Sequence, residues 1–334
     1  MRFLFITFFS VFFSLGAFTQ TAEEIIRTSR EFSMKADVDN AIITLKNGLE
    51  KYPNDAEIRI ELAMAYYTAK RNAQAMDALK PLFEKDQADE FAYQIAGLVY
   101  RSEQNAKEAE KVYKTGIKKF PNSGLLYNEY GQFMSIQQPG RGEEIKLWEK
   151  GIEVDPKFAG NYFQACRYYA VVNNTVWTLL YGEIFVNLDS YSNRTVEIKN
   201  ILFQFYKKAF AFGFGGVNPK NEFEVAVSNI LFNQKRLAAS GLNPENLSAI
   251  RTRFILDWFH SPYGAKFPFR LFERHQNLLR EGVFDAYNQW LFGGAANLAA
   301  FQNWTKTHAD DYQNFSKYQR QKLFVVNQGQ YYRN

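Results

Sequence analysis

The sequence predicts an all-α protein: a solenoid of paired helices followed by a helical C-terminal capping region. Three observations carry this. Similar helix ends recur at Pro53, Pro121 and Pro156, in GLEKYPND, GIKKFPNS and GIEVDPKF, and FEKDQAD around Gln87 fills the midpoint of the long gap, giving a 34-residue period. Small residues repeat at that period, at Ser29, Ala63, Gly97 and Gly131 and again at Ala41, Ala75 and Ala109. After residue 190 the period is lost, yet helix start and stop signals continue and no alternating strand pattern of useful length appears.

Taken along the chain, residues 1–19 read as an export signal. Arg2 supplies the positive start, Phe3 to Phe13 is apolar except for Thr7 and Ser10, and small residues lead to an expected cleavage between Thr19 and Gln20. The run is too short for a spanning helix, which needs roughly 20 apolar residues. Four clear repeats then occupy residues 22–158, the fourth longer by one residue near Pro139-Gly140. Glu144 falls where the earlier repeats carry alanine, so an irregular helix is expected there. A fifth, degenerate repeat completes residues 20–190, with Tyr162, Ala165, Cys166 and Tyr169 in register but Thr178 and Gly182 departing from it.

Residues 191–334 are expected to form a helical C-terminal domain packed on the last repeat as a cap, because no Pro/Gly/Ser-rich linker precedes it. Asn221 with Glu224 predicts a capping box, Asn243-Pro244 a second helix start, and Gly282 the end of a helix from about Phe267. Further helices are predicted over Val283–Leu291, Ala295–Lys306 and Ala309–Phe324, and the final VVNQGQYYRN reads as loose. Trp258, Phe259, Phe267, Phe269, Phe272, Trp290, Phe292 and Trp304 are read chiefly as core and cap residues.

The 34-residue period, the small residues and the large ones between them (Tyr66 with Leu79, Tyr100 with Tyr113, Met134 with Trp148) resemble the tetratricopeptide repeat (TPR) family over residues 22–158. With the export signal and the segment WTLLYGEIFVNLDSYSNRTVEI, the chain also resembles secreted TPR proteins of Bacteroidota. The first resemblance implies two antiparallel helices per repeat, with small side chains where they cross. It also implies a ligand groove lined by the first helix of each repeat. In that register the groove residues are Ile60, Met64 and Tyr67, then Phe91, Gln94, Leu98 and Arg101, then Leu125, Asn128 and Gln132. They mix apolar anchors with amides and one guanidinium, which suits a peptide or protein segment. The family's carboxylate clamp is not expected, because Ile26, Arg30, Glu61, Phe91 and Ile95 stand where it needs lysine, asparagine and arginine. The alternative is that the groove side chains only pack against the C-terminal half.

Net charge is +5, but residues 21–190 hold 21 Lys and Arg against 25 Asp and Glu, whereas residues 191–334 hold 18 against 10. The asymmetry supports a boundary near residue 190. The basic charges of the second half are scattered, so no nucleic-acid partner is expected. Cys166 is the single cysteine, expected as a small buried thiol. No H-E-x-x-H, G-x-S-x-G or phosphate-loop motif occurs, and the three histidines, His260, His275 and His308, lie far apart. His308 with Asp310 and Asp311 is the densest polar cluster, and Gly213-Phe214-Gly215-Gly216 reads as a turn. No cofactor, metal or catalytic residue is assigned. The expected function is a non-enzymatic protein- or peptide-binding scaffold, secreted or periplasmic. The alternatives are a carbohydrate-binding helical protein and an enzyme with an unrecognised site in residues 191–334.

Overall fold

Each of the first three helices opens on a side chain that accepts from one of its free N–H groups. In the computed structural model, which describes residues 20–333, Thr21 and Glu24 form a reciprocal capping box at the start of α1 (Ala22–Met34). Asp37 caps α2 (Val38–Lys51), Asp55 caps α3 (Ala56–Thr68), and α4 (Asn72–Glu84) and α5 (Glu90–Ser102) follow. The apolar run Phe3 to Phe13 lies outside the described residues. The chain divides into two compact bodies, one ending at Val99 within α5 and the other beginning at Tyr100.

In the first body, α1 packs on α2, α2 on α3 and α3 on α4. The small residues sit where helices meet: Ser29, Ala41, Ala63 and Ala75 are all buried, the last three completely. Leu45 and Leu79 fill the space beside them. The turn closing each first helix uses a non-glycine residue at positive φ, Ala36 (59°) and Lys70 (59°), spaced by the repeat. A backbone bond then reaches back over the turn, from Asp37 N to Phe32 O and from Arg71 N to Tyr66 O, and satisfies the helix's last carbonyls.

The second body continues the helix pairs. It contains α6 (Ala106–Lys119), α7 (Gly124–Gln137), α8 (Glu143–Val154), α9 (Ala159–Val171) and α10 (Thr175–Leu188). Gly131 on α7 lets Trp148 of α8 approach: a Cβ there would lie 2.3 Å from Trp148 Nε1. Glu144 does not disturb α8, which is a regular helix. The irregularity falls before it, where Gly142 enters at φ 73° with no side-chain cap. Every residue of α10 but Leu188 is buried, which explains why this helix departs from the repeat pattern. A helix covered on all sides has no solvent face to keep polar. Gly182 meets Cys166 and α11 (Arg194–Phe212) at once, since a Cβ there would lie 2.9 Å from both Cys166 Sγ and Leu202 Cδ2.

The C-terminal region consists of α12 (Glu222–Phe232), a 3-10 turn (Lys235–Ala238), α13 (Pro244–His260), α14 (Pro262–Lys266), α15 (Arg270–Arg280), α16 (Phe284–Asn288), a π-helical turn (Gln289–Gly293), α17 (Gly294–Ala296), α18 (Leu298–Thr307) and α19 (Ala309–Gln321). These helices cap the repeats. α10 packs on α9 and α11 and touches α12 and α15, and one apolar core runs from Ile145 to Val326 across residue 190. Two expectations are corrected. Asn221 caps α12 through Glu224 N, but the Glu224 carboxylate accepts from Asn174 Nδ2 at 2.7 Å instead of closing a capping box. The final segment is docked, not loose: Phe324 and Val326 are buried, and Tyr332 donates to Pro268 O at 2.7 Å.

Candidate ligand-binding sites

In the first body, the register of α3 and α5 points Ile60, Met64 and Phe91 into one cleft of about 420 Å³, together with Ile95. Phe91 is 49% exposed, an unusual state for so apolar a ring. The rim is charged. Arg30 Nε donates to Glu61 Oε1 at 2.9 Å and its Nη2 lies 3.3 Å from Glu57 Oε1, while Asp89 also lines the cleft. Three carboxylates against one guanidinium leave the rim negative. Tyr67, Gln94 and Leu98 are partly buried and do not line this cleft.

The remaining groove residues belong to the second body. Arg101 Nη1 pairs with Glu129 at 3.3 Å, and Gln132 Nε2 donates to Asn128 Oδ1 at 2.7 Å. Asn128 is buried, and its backbone carbonyl accepts from Trp148 Nε1 at 3.3 Å. Leu125 is half-buried on the same helix.

Sequence reasoning missed a buried polar network in the second body. Glu183 on α10 accepts through Oε1 from Arg251 of α13, from His275 Nε2 of α15 at 2.7 Å and from Tyr287 OH of α16 at 2.6 Å. A carboxylate only accepts, so His275 carries its proton on Nε2. Asn187 Nδ2 donates to Tyr287 OH at 2.8 Å, and Arg251 also pairs with Asn288. All four central residues are at most 3% exposed. Burial alone would raise the Glu183 acid, but Arg251 and His275 outweigh it and hold the carboxyl at about 2. Burial pushes the His275 imidazolium down, against the pull of Glu183. The signal in the sequence was Glu183 itself, the one charged residue of α10.

A second cleft, of about 300 Å³, is lined by Glu245, Asp285, Trp304, His308 and Asp311 among others. His308 stacks on Trp304 at 4.7 Å and 5°, and Asp285 accepts from Ser248. Asp311 lines this cleft with His308, and Asp310 does not. Cys166 is fully buried with Sγ 3.4 Å from Thr178 O, and burial pushes its thiol far up, so it is not poised as a nucleophile. Among the described residues, no three His, Cys, Asp or Glu side chains are grouped to hold a metal ion. None of the described helices is long and apolar enough to cross a membrane.

The paired helices, the small crossing residues and the 34-residue turns are the marks of one repeat type, and comparison with known families agrees. Residues 35–98 match the tetratricopeptide repeat family. This TPR segment holds all of α2, α3 and α4 and most of α5, and with them every lining residue of the first cleft except Arg30. Several solved structures are similar. A thermophilic TPR protein of Thermus thermophilus aligns at 13% identity and TM-score 0.47, covering 55% of this chain and 99% of that one. YrrB, described as a TPR protein with an unusual peptide-binding site, aligns at 15% identity and TM-score 0.34, covering 54% of this chain and 92% of that one. The human IFIT1 dimer with PPP-AAAA aligns at 15% identity and TM-score 0.42, covering 90% of this chain and 63% of that one. No curated protein matches the chain.

Proposed function

We propose that the protein is a non-enzymatic TPR scaffold, acting after export in the periplasm or outside the cell, that binds a peptide segment in the cleft of Ile60, Met64 and Phe91. One observation supports this reading most. A ring nearly half exposed faces a concave apolar surface whose rim carries more carboxylates than cations. Apolar area of this kind gains free energy when covered, at roughly 25 cal/mol per Å². The negative rim selects a segment with an apolar anchor next to lysine or arginine. The arrangement corresponds to groove recognition by a few hydrophobic anchors.

The test is selection from a displayed peptide library, followed by titration of the winners against purified protein. Peptides that pair a large apolar residue with a basic neighbour are expected. Ile60→Asp with Phe91→Ala should weaken them at least tenfold, which corresponds to about 1.4 kcal/mol or more. The helical circular dichroism should stay unchanged, since neither side chain is fully buried. Selected peptides that bind the double variant as tightly as the parent would overturn the assignment.

A further inference from the structure

The segment from Phe324 to Arg333 has no regular secondary structure, so its backbone groups need partners from elsewhere. Side chains supply them. Asn221 Nδ2 donates to both Tyr332 O, at 2.8 Å, and Arg333 O, at 3.1 Å. The Arg270 backbone N–H donates to Gln330 Oε1 at 2.7 Å, and Arg270 Nε donates to Val325 O at 3.2 Å. The two side chains at the end of the segment enter different environments. The Tyr332 ring sits 4.8 Å from Phe223 and 5.3 Å from Phe267, in an aromatic slot. Arg333 Nε donates to Tyr169 OH at 2.8 Å and lies 3.4 Å from Glu149 Oε1, with its guanidinium over the Tyr169 ring.

Backbone carbonyls held by a side-chain amide, an aromatic slot and a carboxylate opposite a guanidinium are the parts of a peptide-recognition site. The site also has capacity that its present occupant does not use. Glu224 adds a second carboxylate whose charge acts on Arg333, yet among the described residues its Oε2 has no hydrogen-bond partner. The same holds for Tyr181 OH, whose ring lies 5.9 Å from that of Tyr169. Both residues are at most 2% exposed. Buried polar atoms are rarely left unmatched, because each costs the desolvation it paid. A carboxylate beside the arginine, a second acid whose charge acts on it and an idle hydroxyl therefore describe a site that a more complementary segment would satisfy better.

We infer that the surface formed by Glu149, Tyr169, Tyr181, Asn221, Phe223 and Glu224 is a receptor for an extended peptide bearing an aromatic residue followed by arginine. Residues Tyr331–Arg333 occupy it in cis as a displaceable stand-in. This site lies in the second body and is independent of the cleft around Phe91. A partner protein supplies the incoming segment. The tethered segment competes with it at an effective concentration of about millimolar, so the resting protein binds weakly and discriminates against poor sequences.

The experiment uses the full chain and a fluorescein-labelled peptide VVNQGQYYRN, with binding read by anisotropy. Tyr332→Ala with Arg333→Ala empties both side-chain positions and leaves the rest of the segment in place. This variant is expected to bind the labelled peptide at least tenfold more tightly than the parent chain. A peptide with alanine for its arginine should lose at least tenfold, and adding Glu149→Gln to the double variant should do the same. As a second route, a protease site placed at Asn327–Gly329 is cut after folding. The cut protein should keep its helical signal, release the fragment on dilution and then bind the labelled peptide. The inference is overturned if the double variant binds no better than the parent, or if arginine makes no difference. It is also overturned if the cut protein unfolds on losing the fragment, or if the variant only exchanges segments between two copies as a dimer.

Discussion

Glu183→Leu is expected to lower the unfolding free energy by about 3–5 kcal/mol, the range for breaking a buried ion pair by removing one partner. The magnitude follows from what stays behind. Arg251 is 1% exposed and keeps its charge, while His275 Nε2 and Tyr287 OH lose their acceptor. Glu183→Leu with Arg251→Met removes both charges and should recover a large part of the loss, since an apolar pair of similar volume pays no charge desolvation. Urea unfolding of the three proteins decides the matter, and a single variant as stable as the parent would refute it. The network also sets a pH dependence. The folded Glu183 carboxyl is depressed to about 2 from its ordinary 4.5, so its contribution is fully present above 4.5 and lost as pH falls through 2. His275 is depressed as well, so its contribution begins to fall below 6.5, where the unfolded chain takes up the proton first. Stability should therefore decline on acidification in two stages, and His275→Gln should flatten the upper one.

Ala75→Arg is the second large effect, at about 3 kcal/mol or more. Ala75 on α4 and Ala63 on α3 are both completely buried where the two helices pack. A guanidinium there must either hold the helices apart or sit without a partner in an apolar contact. Asn47→Arg, on the exposed side of α2, should change stability by less than about 0.5 kcal/mol. Thermal melts of the two variants check the register directly, and equal midpoints would refute it.

The repeats were legible because their constraint is local and recurs. Two helices joined by a short turn cross at a fixed place, and only Ser29, Ala63, Gly97 and Gly131, each 34 residues from the last, fit there. The same register placed Ile60, Met64 and Phe91, which share one cleft. It fixes which way a side chain leaves its helix but not where clefts open, so Tyr67, Gln94 and Leu98 share the register and do not line the cleft. The buried network was not legible. Its partners lie 68, 92 and 104 residues from Glu183, on helices outside the period, and no spacing rule connects them. Glu224 shows the limit at short range. The local signal beside Asn221 was genuine, but a partner 50 residues away, Asn174, took the carboxylate. The final segment carries no periodicity, and its tyrosines and arginine were the only hint that it is held.

The docked segment sets an order of events during synthesis. Contacts in the first body link residues about one repeat apart, such as Arg71 with Asp39, 32 positions away, and can form as soon as each repeat emerges. Tyr169 meets Arg333 across 164 positions. At roughly 5–20 residues per second, a ribosome takes on the order of 10–30 s to deliver that arginine after the tyrosine. Phe267, whose ring completes the slot, still precedes Arg333 by 66 positions, so for roughly 3–13 s the aromatic slot and its carboxylates stand open on the nascent chain, before the protein's own competitor exists.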